Sequence, residues 1–286
     1  MIAQPFDYAA PESLSEALQL LASAENARPL AGGQSLIPMM KLRLSAPSLL
    51  VDLGRIADLH YIAQTNGSIR IGAMSTHHQV ATSETLRQNC PLLAEAAGRI
   101  GDVQVRNLGT IGGSLAHHDP AADYPAALQA LRAQLRLVSQ AGERTVSIED
   151  FLVDPFTTSL RPGEIVAEVI VAADGPGTGS AYLKLQQPAS GFAVVGVAAQ
   201  LGASNGAISL ARVGLTGVAG KSYRARAVEQ ALEGKPVTAA TLSGAARLAA
   251  EGVEPLNDLF AKADYRAHVA RVYTRRALEQ AFARTK

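Results

Sequence analysis

Apolar residues recur at helical spacing near the start of the chain, where Leu14, Ala17, Leu18 and Leu21 share one face behind Ser13-Leu14-Ser15-Glu16. A hydroxyl followed three residues later by glutamate is a capping box, so the pattern predicts a helix over residues 14–24. Short apolar runs predict strands at 28–30 and 49–53, the latter closing a small N-terminal lobe near Gly54. Between them, 36–42 reads as a short helix or turn with Pro38 in its first residues. Residues 68–74 alternate with period two and read as a strand, followed by a helix capped by Ser75 or Thr76. A further helix covers 92–100, and 103–108 then leads into a pair of glycines. Residues 135–139 and 145–148 flank Gln140-Ala141-Gly142-Glu143, a hairpin signal, and 165–171 is another strand.

The run Asp174-Gly175-Pro176-Gly177-Thr178-Gly179 breaks this series and marks a domain boundary. Strand patterns follow at 181–186, 193–201 and 207–215, the last two joined by Ser204-Asn205-Gly206, a hairpin turn. Helical patterns at 222–232, 239–251 and 264–283 complete a three-stranded sheet backed by three helices. The fold class is α+β.

Two stretches depart from these periodicities. Ala31-Gly32-Gly33-Gln34-Ser35 and Thr110-Ile111-Gly112-Gly113-Ser114 each place adjacent glycines before a hydroxyl, so main-chain N–H groups meet an anion with no Cβ in the way. Each alone reads equally as a tight turn. Together they suit the two phosphates of one dinucleotide. Asp123, just beyond the second stretch, is either the N-cap of a helix reaching 133 or a carboxylate turned towards the hydroxyls of a sugar.

Composition narrows the classes. With 48% apolar and 18% charged residues the chain has material for a packed core, and a net charge of +1 gives no reason to expect nucleic acid as a partner. No apolar run is long enough to span a bilayer. The first residues carry neither a basic nor an apolar leader pattern, so a cytoplasmic chain is expected. Cys90 is the only cysteine, and an iron–sulfur cluster takes four ligands. Any redox centre here is therefore organic, and cluster chemistry belongs to another chain.

Several candidate motifs fall away. His77 and His78 are adjacent in a predicted helix and point apart, while His117 and His118, beside Asp119, read as polar loop residues without metal-ligand spacing. Gly220-Lys221-Ser222 ends like a phosphate loop, but that motif needs glycine where Leu215 stands. It reads as a turn into a helix capped by Ser222. No G-x-G-x-x-G turn occurs, so a dinucleotide is gripped in another way than in a Rossmann domain.

The two glycine stretches in context, AGGQSLIPMMKLRL and RNLGTIGGSLAHHDPAADYPAAL, resemble the FAD-binding medium subunit of the xanthine dehydrogenase and carbon monoxide dehydrogenase family of molybdenum hydroxylases, over essentially the whole chain. The resemblance implies a two-lobed FAD-binding domain of the PCMH type over residues 1–175, with lobes of about 1–54 and 55–175, and a C-terminal domain over 180–286. It implies FAD on Leu30, Ala31, Gly32, Gly33, Gln34, Ser35 and Leu36 of the first stretch and on Thr110, Ile111, Gly112, Gly113 and Ser114 of the second. Asp123 would bind the ribose, Ile100 and Val166 would line the cofactor pocket, and Lys184 would reach it from the C-terminal domain. On their residue types alone, Ile100 and Val166 read equally as core and Lys184 as an edge-strand charge. Ser114 stands where the family more often has asparagine, and Phe192 about where some relatives have tyrosine.

The same resemblance implies no catalytic acid–base set in this chain. It implies a large molybdopterin subunit that oxidises the substrate, a small subunit with two [2Fe-2S] clusters, a dimer of heterotrimers, and electron delivery to an external acceptor. The other readings are a free-standing FAD-dependent oxidoreductase and a non-enzymatic flavin-binding or assembly protein.

Overall fold

The computed structural model describes residues 2–285. The first lobe is a parallel sheet carrying two helices. Strand β1 (Asp7–Ala9) precedes α1 (Leu14–Ser23), whose Ser13 hydroxyl accepts from the Glu16 N–H at 3.2 Å. The Glu16 carboxylate reaches back to the N–H of Glu12 instead of completing the box on Ser13. Strand β2 (Ala27–Leu30) leads through the first glycine stretch to α2 (Leu36–Lys41), and β3 (Leu49–Asp52) inserts between β1 and β2 in the order β1-β3-β2. Ala17, Leu18, Leu21 and Val51 form its core, which Met74, Ile165 and Ala167 of the second lobe join, so the lobes are not independent.

The second lobe starts with β4 (Ile62–Thr65) and β5 (Ser68–Gly72) and then runs through six helices. The first is α3 (His77–Thr82), where Thr76 and Gln79 form a reciprocal capping box. Next come α4 (Glu84–Asn89), α5 (Pro91–Gly98), with proline at its first position, and α6 (Val103–Leu108). Helices α7 (Ile111–His117) and α8 (Asp123–Leu131) complete the set. The hairpin of β6 (Gln134–Ser139) and β7 (Gly142–Ser147), the short α9 (Ile148–Phe151), the two-stranded β8 (Leu152–Asp154) and β9 (Thr157–Thr158), and β10 (Ile165–Ala172) close the domain. The antiparallel sheet has the order β4-β5-β10-β6-β7.

Beyond the connector, β11 (Thr178–Gln186), β12 (Ala193–Ser204) and β13 (Ala207–Thr216) form the antiparallel sheet that the pattern predicts, with Asn205 and Gly206 at φ 52° and 77° in its tight turn. A fourth strand, β14 (Tyr223–Arg224), pairs with Gly214 and Leu215. Three helices follow: α10 (Arg226–Leu232), α11 (Ala239–Ala246) and α12 (Ala263–Ala283). Ser222 is therefore not a helix cap. Strand pairing claims Tyr223 and Arg224, and α10 begins after Ala225.

Helix α8 joins the domains. All nine of its residues are buried, and a Cβ on Gly214 of β13 would stand 2.1 Å from the Ala126 carbonyl oxygen, so the absence of a side chain lets strand and helix lie in direct contact. Tyr182 and Ala198 of the C-terminal sheet belong to the same hydrophobic core as Leu93, Leu115 and Leu128 of the first domain. Ala122, not Asp123, occupies the N-cap of α8. With backbone φ −68° and ψ 145°, Ala122 makes the turn, and Asp123 becomes the first helical residue. His117 and His118 are not loop residues either: His117 ends α7, and His118 is its fully buried left-handed cap, with Nδ1 3.0 Å from the Thr157 carbonyl.

Candidate functional site

The second glycine stretch is the start of a helix, not a turn. Thr110 is the N-cap of α7 and its Oγ1 accepts from the Gly113 N–H at 3.1 Å. The N–H groups of Ile111 and Gly112 go to the carbonyls of Ser75 and Ala73, at 3.0 and 2.9 Å. These amides are spent inside the protein, and the glycines here serve close packing. A Cβ on Gly112 would lie 2.6 Å from that of Ala73, and one on Gly113 would touch Thr110 Oγ1 and Ala31.

The first stretch behaves differently. Among the described residues, none accepts a hydrogen bond from the main-chain N–H groups of Gly32, Gly33, Gln34 or Ser35. Gly33 has φ +69°, which turns the chain so that Ser35 can start α2. A Cβ on Gly32 would stand 2.1 Å from the Leu108 carbonyl oxygen and 2.6 Å from the Gly109 Cα. The two stretches, far apart in sequence, thus lie side by side. Four consecutive main-chain donors without an acceptor suit a pyrophosphate, and this loop fits the phosphates of a dinucleotide.

The far side is a joint between domains. Lys184 of β11, with no exposed side-chain surface, donates to the Arg99 carbonyl (2.6 Å), the Gly191 carbonyl (2.7 Å) and Asp123 Oδ2 (3.0 Å). Tyr182, two residues earlier on the same strand face, donates its hydroxyl to Asp123 Oδ1 at 2.6 Å. Burial pushes the Asp123 carboxyl up to about 6, against the opposing pull of Lys184 and Tyr182. Both of its oxygens accept hydrogen bonds at the joint, so this carboxylate bridges the two domains. Around it, Arg106 donates to the carbonyls of Ile100 and Gly101, and a Cβ on Gly191 would approach the Gly101 Cα to 3.2 Å. These contacts bring the α5–α6 and β11–β12 loops together.

Of the other expected residues, Ile111 is fully buried, Val166 is buried in the core of the first domain and Ile100 packs against that core. Leu30 approaches Gly33, Ser114 and Leu36 are half-buried, and Phe192 is exposed beside Gly191. Sequence reasoning missed Tyr182 and Arg106. Period two on a strand pairs Tyr182 with Lys184 and was a usable signal, whereas the loop contacts of Arg106 have no local signature. Lys221 of the discarded phosphate-loop pattern donates to the carbonyls of Leu152 and Val153, a structural use.

A parallel-sheet lobe, an antiparallel lobe and a four-stranded C-terminal domain, with a loop of free amides packed beside the start of α7, make a two-domain protein outside the Rossmann class that is suited to a nucleotide. Residues 4–173 match the FAD binding domain in molybdopterin dehydrogenase, and residues 180–281 match the CO dehydrogenase flavoprotein C-terminal domain. The chain is 40% identical over 285 residues to the carbon monoxide dehydrogenase medium chain of Hydrogenophaga pseudoflava, covering 99% of each. It is 37% identical over 276 residues to the glyceraldehyde dehydrogenase medium chain of Sulfolobus acidocaldarius, covering 96% of this chain and 98% of that one. Carbon monoxide dehydrogenase from Hydrogenophaga pseudoflava, solved without the Mo-pyranopterin moiety of its cofactor, superposes with a TM-score of 0.97 at 41% identity over the whole of both chains. Quinoline 2-oxidoreductase from Pseudomonas putida 86 gives 0.94 at 36% identity, with 99% of each chain covered. The chain belongs to the FAD-binding medium subunits of the molybdenum hydroxylases, the family of the carbon monoxide and xanthine dehydrogenase flavoproteins. It is an oxidoreductase subunit, and no helix among the described residues is long and apolar enough to cross a membrane.

Proposed function

We propose that this chain is the FAD-carrying subunit of a heterotrimeric molybdenum hydroxylase. In this reading a large partner holds molybdopterin and oxidises the substrate, and a small partner holds two [2Fe-2S] clusters. Electrons reach this subunit from those clusters and leave for an external acceptor, and two heterotrimers pair. The observation that carries the reading is the first glycine stretch, packed beside the second, where four consecutive main-chain N–H groups have no acceptor among the described residues. Names of relatives as medium chains or complex subunits support the assembly.

FAD, when bound, supplies an organic redox centre able to take up and release electrons. The residues of this chain bind and orient it. Gly32, Gly33, Gln34 and Ser35 offer amides to the pyrophosphate, flanked by Leu30, Ala31 and Leu36. Thr110, Ile111, Gly112, Gly113 and Ser114 form the facing wall, with the Ser114 hydroxyl as its polar group. Lys184 closes the site from the second domain, Asp123 acts through Lys184, and Ile100 and Val166 back the pocket with apolar surface that keeps water out. Cys90, alone and buried, leaves cluster ligation to the partner.

The test is to tag the chain in its native host, purify it mildly and assay FAD, iron, molybdenum and co-purifying subunits. Stoichiometric flavin with both metals and two further chains is expected. Flavin without metal or partner would overturn the assembly in favour of a free-standing FAD-dependent oxidoreductase. A complex whose flavin no partner reduces would make the chain a binding or assembly protein.

A further inference from the structure

Tyr182 belongs neither to the glycine stretches nor to the cofactor contacts assigned above, yet it is almost wholly buried and its hydroxyl makes one short bond, to Asp123. The strand opposite is cut away for it. A Cβ on Gly196 would lie 2.5 Å from the Tyr182 oxygen, so the β12 position paired with Lys184, diagonal to Tyr182, holds glycine where the hydroxyl must fit. The main-chain N–H of Tyr182 is fixed as well, by Glu95 Oε2 at 3.0 Å, and Glu95 also accepts from Arg284.

The groups facing Asp123 are few. Lys184 and Tyr182 reach it from β11, Arg99 from the end of α5, and Tyr124 is its neighbour on α8. Glu95, on α5, meets the backbone of Tyr182 rather than Asp123. A buried carboxylate loses hydration, and each hydrogen bond donated to its charged form offsets that loss. Lys184 supplies one such bond and Tyr182 the other. The tyrosine phenol keeps its proton, because burial and the adjacent carboxylate push its ionisation far up. It is a donor at every working pH.

We propose that Tyr182 is a positioning residue for the flavin: it holds Asp123 as a carboxylate against Lys184, and so fixes the charge that the joint presents to the bound cofactor. The inference rests on the flavin reading above for its consequence, not for the contact itself. Without the hydroxyl, Asp123 takes up a proton at higher pH. Lys184 then stands as an uncompensated cation beside the flavin, and the reduced, more anionic flavin is favoured.

Two measurements on the full chain separate the parts. In the FAD-free protein, the Asp123 carboxyl carbon is followed by NMR in wild type and Tyr182→Phe. Its titration midpoint is expected to rise by about one pH unit or more in the variant, the effect of losing one charge-assisted bond. An unmoved midpoint would overturn the proposal whether or not flavin binds. In the FAD-loaded protein, the flavin midpoint potential is then read against pH by spectroelectrochemistry, with Asp123→Asn as the permanently neutral reference. Asp123→Asn should lie above wild type at pH above the wild-type Asp123 midpoint of about 6 and converge with it below. Tyr182→Phe should follow Asp123→Asn between the wild-type midpoint and its own higher one, and rejoin wild type at more alkaline pH. A Tyr182→Phe curve parallel to wild type throughout, or Asp123→Asn coincident with wild type at every pH, would sink the inference. Should Tyr182→Phe fold poorly, Asp123→Asn alone decides the charge effect. Failure of wild type to take up FAD would instead count against the flavin reading, leaving the NMR result standing.

Discussion

Gly32 and Leu108 are in direct backbone contact: a single added carbon on Gly32 would lie 2.1 Å from the Leu108 carbonyl oxygen. This contact seats the donor loop against the start of α7, and the neighbouring atom is main chain, which has little room to yield. Gly32→Ala should therefore push the loop away, with a stability cost of about 1–3 kcal/mol. FAD affinity should fall at least about tenfold, which corresponds to about 1.4 kcal/mol of lost binding. Flavin fluorescence quenching and thermal unfolding together check both effects.

His77 gives an acid limit. Its ring is buried at the base of α3, with Nδ1 3.2 Å from the Tyr124 hydroxyl, and burial, helped by Arg106, pulls its pKa down to about 4. The unfolded chain therefore binds this proton first as pH falls. The stability that His77 contributes is complete above about 6.5 and is lost between 6.5 and 4, a loss of about 3 kcal/mol. Asp123 and Asp174, both raised to about 6 by burial, act in the opposite sense over the acid range. The urea midpoint of wild type minus that of His77→Gln isolates the histidine, and that difference should shrink as the pH drops from 7 to 4.

Glu168 is fully buried on β10 and is held by Arg70 and Arg136 from the strands on either side. Burial alone would raise its pKa, but the bonds from Arg70, Tyr61 and Arg136 outweigh it and hold the carboxyl below its usual value. Removing the acid leaves Arg70 without its carboxylate and Arg136 with Glu143 alone. Glu168→Ala is expected to cost about 3 kcal/mol, the low end for a broken buried pair, because Arg70 keeps 46% of its side chain in water. Equilibrium urea unfolding measures it.

Cys90 sits with no exposure in the core of the first domain, and burial drives its thiol pKa well up. The native protein should not react with a disulfide reagent at pH 8, while one thiol should appear on unfolding. Reaction at the rate of a free thiol would show that this core opens readily.

What could be read from the sequence was local. The Ser13 cap, the alternation at 68–74 and the Asn205-Gly206 turn each carry their signal within a few residues; the cap and the turn appear where that signal puts them, and the strand appears two residues shorter, ending at Gly72. Thr110-Ile111-Gly112-Gly113 misleads for a definable reason. Two glycines look like a turn, but the threonine caps a helix, and those glycines are there to let Ala73 and Ala31 approach from other parts of the chain. Ser222 likewise passes for a cap because the strand that claims Tyr223 and Arg224 is Gly214–Leu215, whose pairing has no trace in the local pattern. The site is half legible: both glycine stretches stand out in the sequence, but which of them has free amides depends on carbonyls at Ser75 and Ala73. The alternation of β11 puts Tyr182 on the same face as Lys184, but nothing in its own neighbourhood names Asp123 as its partner.

The ammonium of Lys184 takes its three acceptors from three separate segments, two of them in the other domain. A gene fusion cut at the connector near Pro176 would pass through no strand or helix and would seem a natural place to exchange C-terminal domains between relatives. Such a hybrid would bring a lysine and a tyrosine from one parent to an aspartate and a loop carbonyl from the other. Recombination at that point is thus constrained by a few ångströms of geometry elsewhere, and the two domains are inherited as a matched pair.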